Sequence, residues 1–181
     1  MRGPAGAVGR LVAGAGLAGW ALALARQDRP FSPLDWANLA FHEAGHLVFA
    51  PFGRTLHLLG GTLLQLLVPM VLTGYFLLRR HSPPAALACA FWIGESLLNV
   101  YVYMADARDL SLPLVGGGEH DWNGLLYDFG LLNADAVAAI SGWTRGAAVL
   151  LMLGAAGALA WLALRPDHEV ALRESLEERA G

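Results

Sequence analysis

The stretch "LAFHEAGHLVFA", Leu39 to Ala50, places two histidines and a glutamate within a run of apolar residues. Ionisable side chains in such a run are costly unless they face a protein interior, a wet cavity or a ligand. The whole chain is similarly apolar, because 56% of its 181 residues are hydrophobic and only 15% are charged. We therefore expect a single integral membrane domain, residues 1–181, in which this stretch is a helix that turns its polar groups inward.

Apolar runs on both sides of that stretch predict about five membrane-spanning helices, since roughly 20 apolar residues cross the hydrocarbon core. Ser-Pro pairs and an asparagine mark the expected starts of three of them. The expected helices cover roughly residues 11–25, 33–51, 56–78, 83–104 and 133–164. The predicted fold class is therefore all-α, a polytopic helical bundle, with a polar loop at 105–133 and a charged tail at 165–181.

The arginines bear on how the chain is inserted. Arg2 and Arg10 precede the first apolar run, which ends in small residues that resemble a signal-peptide cleavage site. We expect this helix to be retained, because cleavage would place the Arg79–Arg80 pair outside, against the positive-inside rule. The same rule favours a cytoplasmic location for that pair, in a bacterial-type inner (plasma) membrane.

The composition also limits which classes of binding partner are expected. The net charge is only −3 and no basic stripe is present, so a nucleic-acid partner is not expected. The expected partners are membrane lipid and a membrane-associated peptide substrate. The single cysteine, Cys89, cannot form an internal disulfide and leaves the redox compartment undetermined.

The histidines of the opening stretch have the spacing of a metal site. On a helix, His42 and His46 are four residues apart and face the same way, so their imidazoles can bind one ion. The pattern His-Glu-x-x-His is typical of zinc sites. Glu43 lies about 100° round the helix, within reach of a metal-bound water, where it would act as a general base. Gly45 leaves room beside His46 for another element. We therefore predict Zn²⁺ as cofactor and Glu43 as the catalytic residue.

Other polar residues accompany the motif. Asn38 falls on the same helix stripe as the first histidine, and Asp35 lies one turn earlier, so either is a candidate to orient an imidazole. On the fourth expected helix, Glu95, Asn99 and Asp106 form a polar stripe. Glu95 is expected to face the bundle, where it would polarise a ligand, bind substrate or serve as a structural hydrogen-bonding group.

A catalytic zinc needs a third protein ligand while one position stays open for water. The candidates lie in "GGGEHDWN", residues 116–123, where three glycines allow the loop to fold back over the motif helix. His120 is the first choice, Asp121 the second, and Glu119 is adjacent. Two further candidates belong to the fourth helix and its end: Asp106 and Glu95.

An "HEAGH" within a membrane helix, followed by a distant acidic motif in a small polytopic chain, resembles the site-2-protease-like intramembrane zinc metalloproteases. The resemblance implies that His42 and His46 are zinc ligands and that Glu43 is the catalytic base. The second motif of that family is an Asn-Pro-rich stretch ending in Leu-Asp-Gly, whose aspartate is the third ligand. It is not found here, and "EHDWNG" holds the comparable place, with Asp121 as the nearest counterpart.

Three functions remain open at this point. The first is a membrane-embedded zinc hydrolase, foremost a peptidase. The second is a metal-binding membrane protein without peptidase activity, and the third is a structural membrane subunit whose polar residues hold helices together. Zinc content separates the third from the others.

Overall fold

The structure, a computed structural model, describes residues 4–115 and 118–164, and in these ranges it contains helices and no β-strand. The expected all-α fold is confirmed. The predicted charged tail at 165–181 lies outside the described residues. The helices are α1 (Pro4–Ala25), α2 (Asp35–Phe49), α3 (Arg54–Leu78), α4 (Pro83–Ala105), α5 (Asp121–Asp128) and α6 (Ala134–Leu164), with a 3-10 turn at Ala50–Phe52.

Four of the described helices are long and apolar enough to cross a membrane, namely α1, α3, α4 and α6. Helix α2, the expected second span, has only 15 residues. At ~1.5 Å per residue it is about 22 Å long, shorter than the ~30 Å hydrocarbon core. The described part of the chain therefore has four helices of spanning length rather than about five, and the motif lies on the short one.

Helix α2 begins at Asp35, two residues after Pro33, and the Ser-Pro pair belongs to the turn before it. The Ser32 backbone N–H donates to Asp35 Oδ2 at 2.6 Å, and the Leu34 N–H donates to Ser32 Oγ at 3.0 Å. These two hydrogen bonds order the turn that leads into α2, but they are not a reciprocal capping box, because Ser32 Oγ accepts the Leu34 N–H and not the Asp35 N–H. The asparagine signal is confirmed, since Asn133 Oδ1 accepts the Ala136 N–H at 3.0 Å at the start of α6.

The apolar core lies where α4 and α6 pack against each other and against α1. Its side chains carry no charge and fill the space between the three helices. The buried members are Ala21, Leu24, Phe91, Leu98, Ala148, Met152 and Ala155. Helix α2 lies to the side of this core, where it packs chiefly against α3.

Candidate metal site

Glycines bring α2 and α3 into backbone contact behind the motif. A Cβ built on Gly45 would lie 2.1 Å from the carbonyl oxygen of Gly60, and one on Gly61 would lie 2.5 Å from Cε1 of His42. Both distances are far below van der Waals contact. Any side chain at Gly45 would separate the helices, and any at Gly61 would displace the imidazole. The expectation that Gly45 admits another element is confirmed, and that element is α3.

Three of the predicted site residues converge. Nε2 of His42 lies 2.9 Å from Oδ2 of Asp121, and Nε2 of His46 lies 3.3 Å from the same oxygen. One ligand atom from each of the three residues falls within 4.8 Å of the others. Two imidazoles and one carboxylate are a donor set found in catalytic zinc sites. The chemistry of the three residues therefore fits a zinc ion.

The tautomer of His46 gives a second test of that fit. Its Nδ1 lies 2.8 Å from the backbone carbonyl oxygen of His57, which can only accept a hydrogen bond, so Nδ1 carries the proton. In the neutral ring, Nε2 then presents a lone pair to an Asp121 oxygen 3.3 Å away. Two lone pairs that face each other are unfavourable, and a cation or a proton between them removes the conflict.

His57 also contacts the motif, although no sequence pattern predicted it. The backbone turns tightly at Gly53, whose φ of 91° lies in the left-handed region. This turn brings α3 back along α2, and Nδ1 of His57 donates to the His46 carbonyl oxygen at 3.1 Å, which reciprocates the bond that His46 makes. The eleven-residue separation of the two histidines has no helical periodicity. Only a prediction of the turn at Gly53 would have revealed the pair.

Helix α5 delivers Asp121 to the motif, and an arginine at the start of α3 holds that helix in place. Arg54 donates to Glu119, two residues before α5, at 2.5 Å and to Asp128 at the end of α5. Asp121 itself is only 4% exposed. The polar loop therefore does fold back over the motif helix. Glu119 belongs to the arginine contact and does not join the three ligand candidates.

His120, the expected first choice for the third ligand, does not join them either. It is the residue before α5, and its Nδ1 accepts the Asn123 N–H at 3.2 Å. This capping bond turns the ring towards Tyr103, with 4.1 Å between ring centroids, and away from His42 and His46. Burial lowers the pKa of His120, and the nearby carboxylates of Asp106 and Asp121 offset this in part. Asp121, the second choice, occupies the position instead.

Asp106 anchors a loop and is not among the converging ligands. Its carboxylate accepts the backbone N–H groups of Ser111 at 3.1 Å and Leu112 at 2.9 Å, together with the Ser111 hydroxyl. Burial by itself would raise the pKa of Asp106, but these hydrogen bonds and the neighbouring His120 outweigh it and hold the pKa below its ordinary value. The guanidinium of Arg29 lies 3.8 Å from the same carboxylate.

Glu95 is a hydrogen-bonding group between helices. Oε2 accepts the amide of Asn38 at 2.8 Å, and Oε1 accepts the hydroxyl of Ser32. The side-chain oxygen of Asn38 accepts the Trp92 indole N–H and the Ser96 hydroxyl, both at 2.9 Å. Asn38 and Glu95 therefore hold α2 on α4, and neither Asn38 nor Asp35 contacts an imidazole. Asp35 accepts the Ser32 N–H instead.

The three ligand candidates line a cleft of about 640 Å³. Glu43 also lines this cleft; it is half-buried and makes no hydrogen bond or ion pair with any residue that the structure describes. Its carboxylate is therefore free to act on a molecule in the cleft. Most of the remaining lining is apolar: Phe31, Trp36, Leu39, Leu58, Val102, Leu112, Pro113, Leu114 and Val115.

Comparison of the chain with protein-family models, with curated proteins and with solved structures gives no match. The resemblance of "HEAGH" to the intramembrane zinc metalloproteases therefore rests on the motif and its membrane setting. What the chain does has to be argued from the geometry of the cleft.

Proposed function

We propose that the chain is a membrane-embedded zinc-dependent hydrolase, and specifically a metallopeptidase that acts on a membrane-associated peptide in a bacterial-type plasma membrane. The observation that carries the proposal is the convergence of His42, His46 and Asp121 in a cleft that Glu43 also lines. Three protein ligands leave one zinc position open, as hydrolytic zinc sites require. Four described helices of spanning length support the membrane setting.

His42, His46, Asp121 and Glu43 each have a defined role in the proposed function. His42 and His46 supply imidazole nitrogens from one helix face, and Asp121 supplies a carboxylate oxygen from α5. A bound zinc ion supplies Lewis acidity, which lowers the pKa of water to about 7. Glu43 accepts the proton of the attacking water as general base, since its carboxylate lines the cleft unpaired. The same carboxyl then carries that proton to the leaving amine.

The shape of the cleft supports a peptide as substrate. Its volume of about 640 Å³ falls within the range of ~300–1,000 Å³ that is usual for ligand sites. The apolar lining residues would bind apolar side chains of the peptide. The three ligand candidates and Glu43 would act on the bond to be cut. The acidic residues that line the cleft are Asp35, Glu43, Glu119 and Asp121, and the arginine that lines it, Arg54, is already paired with acids. A strongly anionic substrate would therefore find little in the cleft to pair with.

Metal content and hydrolysis, measured together, test the proposal. The detergent-solubilised protein is assayed for zinc per chain and for cleavage of a library of fluorescence-quenched peptides with apolar centres. Wild type is expected to bind one zinc and to cleave, whereas Glu43→Gln is expected to keep the zinc and lose cleavage. Glu174→Gln, the same substitution beyond α6, should retain both.

The histidine variants extend the test. His42→Asn and His46→Asn are expected to lose zinc, whereas His81→Asn, in the exposed turn between α3 and α4, is expected to keep it. Zinc in wild type without cleavage of any peptide would point to a metal-binding protein without peptidase activity. Wild type that binds no zinc would contradict the proposal and favour a structural subunit.

A further inference from the structure

Asp106 and His120 form a buried pair with one unsatisfied atom. Each residue is only 4% exposed, and Nε2 of His120 has no hydrogen-bond partner among the described residues. The Oδ2 atom of Asp106 lies 3.7 Å from it, just beyond hydrogen-bond distance. A buried nitrogen without a partner is rare in folded proteins and calls for a physical reason.

The protonation of the His120 ring follows from its other nitrogen. Nδ1 accepts the backbone N–H of Asn123, so Nδ1 presents a lone pair and, in the neutral ring, the proton is on Nε2. The Asp106 carboxylate, with Oδ2 3.7 Å from Nε2, is the acceptor nearest in chemistry to what that N–H needs. In this tautomer neither ring nitrogen of His120 has a free lone pair for the proposed zinc, because Nδ1 accepts the Asn123 N–H and Nε2 carries the proton.

The Asp106–His120 pair is connected to the proposed ligand Asp121 in two ways. Along the chain, His120 precedes Asp121 and caps the first turn of α5. Through space, the Tyr103 ring lies between the His120 ring, at 4.1 Å between centroids, and the His42 ring, at 5.6 Å. The hydroxyl of Tyr103 also accepts the Asp121 N–H at 3.2 Å. A movement of the His120 ring would therefore move both Asp121 and its neighbours.

We propose that Asp106 and His120 are positioning residues, which together hold the Asp121 carboxylate against the His42–His46 face. The inference rests on the proposed function, in which Asp121 is the third zinc ligand. Asp106 is suited to this task because hydrogen bonds from Ser111 and Leu112 fix its carboxylate. Asp106 orients the ring, the ring caps Asn123, and the cap sets the direction of the first turn of α5.

Zinc affinity is the first test, measured by competition with a chromophoric chelator. Asp106→Asn is expected to weaken binding about 10–100-fold, the usual cost of losing a residue that orients a ligand. His120→Asn should weaken it similarly, although asparagine can still cap the helix. The double variant should bind zinc no more weakly than either single variant, since the two residues act as a unit. Asp109→Asn, a matched and exposed control in the same loop, should change affinity less than twofold.

A second test needs no metal. In ¹⁵N-histidine NMR spectra of the zinc-free protein, His120 is expected to be protonated on Nε2 and not on Nδ1. The His42–Asp121 hydrogen bond, 2.9 Å in the structure, is expected to be visible in wild type and in Asp109→Asn and to be lost in Asp106→Asn. This reports on the position of Asp121 directly.

The outcomes separate the two proposals. If wild type binds no zinc but Asp106→Asn still loses the His42–Asp121 hydrogen bond, the zinc function fails and the positioning role stands. If His120 proves to be protonated on Nδ1, the positioning role is overturned. An unchanged zinc affinity together with an unchanged His42–Asp121 hydrogen bond in both single variants would overturn it as well. Additive losses of zinc affinity in the double variant would show that the two residues act independently and not as a pair.

Discussion

The bundle is held together by two regions of opposite chemistry. Between α1, α4 and α6 the buried side chains are apolar, and residues such as Phe91, Leu98 and Met152 are at most 2% exposed. Around α2, the interface with α3 is built on glycines and that with α4 on hydrogen bonds. Apolar packing depends on volume and tolerates exchange among side chains of similar size. Directional contacts depend on particular atoms, so the α2 region should be the less tolerant of substitution.

The largest expected effect is at Gly45. In Gly45→Ala the new Cβ would lie 2.1 Å from a backbone oxygen that has no rotamer to move into, so α2 and α3 must separate. We expect zinc binding to be lost and the free energy of unfolding to fall by about 1–3 kcal/mol or more, measured by thermal unfolding in detergent.

Gly74→Ala is the matched control in α3, since nothing lies within 4 Å of its Cβ position. It should retain zinc and unfold like wild type. Equal behaviour of the two alanine variants would show that the close contact of α2 with α3 is not needed for the site.

The next effect concerns Asn38, which links α2 to α4. Asn38→Ala leaves the Glu95 carboxylate, the Trp92 indole and the Ser96 hydroxyl each without one partner. A buried polar group that loses its partner costs about 1–3 kcal/mol, and we expect a loss of that order in the free energy of unfolding. Stability within 0.5 kcal/mol of wild type would mean that this network is not what fastens α2.

A smaller effect is expected in the apolar core. Leu98→Met keeps the volume and the apolar character of a side chain that is 2% exposed. Such exchanges usually cost less than about 1.5 kcal/mol, and zinc affinity should not change. A larger loss of stability than in Asn38→Ala would reverse the contrast between the two regions.

The smallest effect is a pH dependence at Asp106. The pKa of this group is lower in the folded chain than its ordinary value of 3.8, so its ionised form stabilises the fold. That contribution is fully present above pH ~4 and is lost as the pH falls through the lowered pKa. In the zinc-free protein, the stability difference between wild type and Asp106→Asn should therefore shrink as the pH falls from ~4 to ~2. A difference that grows over this range would contradict the account.

Local sequence signals predicted where most helices lie and which residues of α2 belong to the candidate site. The spacing of His42, Glu43 and His46 placed them on one helix, and the asparagine at the start of α6 marked its first turn. These features depend on residues within a few positions of one another. Helix α2 was predicted at 33–51 and is shorter at both ends, because a turn precedes Asp35 and a 3-10 turn replaces the α-helix from Ala50.

The third ligand candidate, Asp121, could not be identified from local sequence signals. The glycine-flanked tip was recognised, but the ranking of His120 above Asp121 was not supported by the structure. Which of two neighbouring residues faces the motif depends on where α5 begins and on which backbone group caps it. His120 accepts the Asn123 N–H, and so the next residue points at His42. A prediction of α5 from Asp121 onward would have identified His120 as the capping residue.

X-ray absorption at the zinc edge of the zinc-loaded protein tests the central claim most directly, since it counts the imidazoles bound to the metal. The account predicts two imidazoles at about 2.0–2.1 Å in wild type. It predicts no bound zinc in His46→Asn and, at concentrations that keep the site loaded, still two imidazoles in His120→Asn. Three imidazoles in wild type that fall to two in His120→Asn, or a protein that binds no zinc, would contradict it.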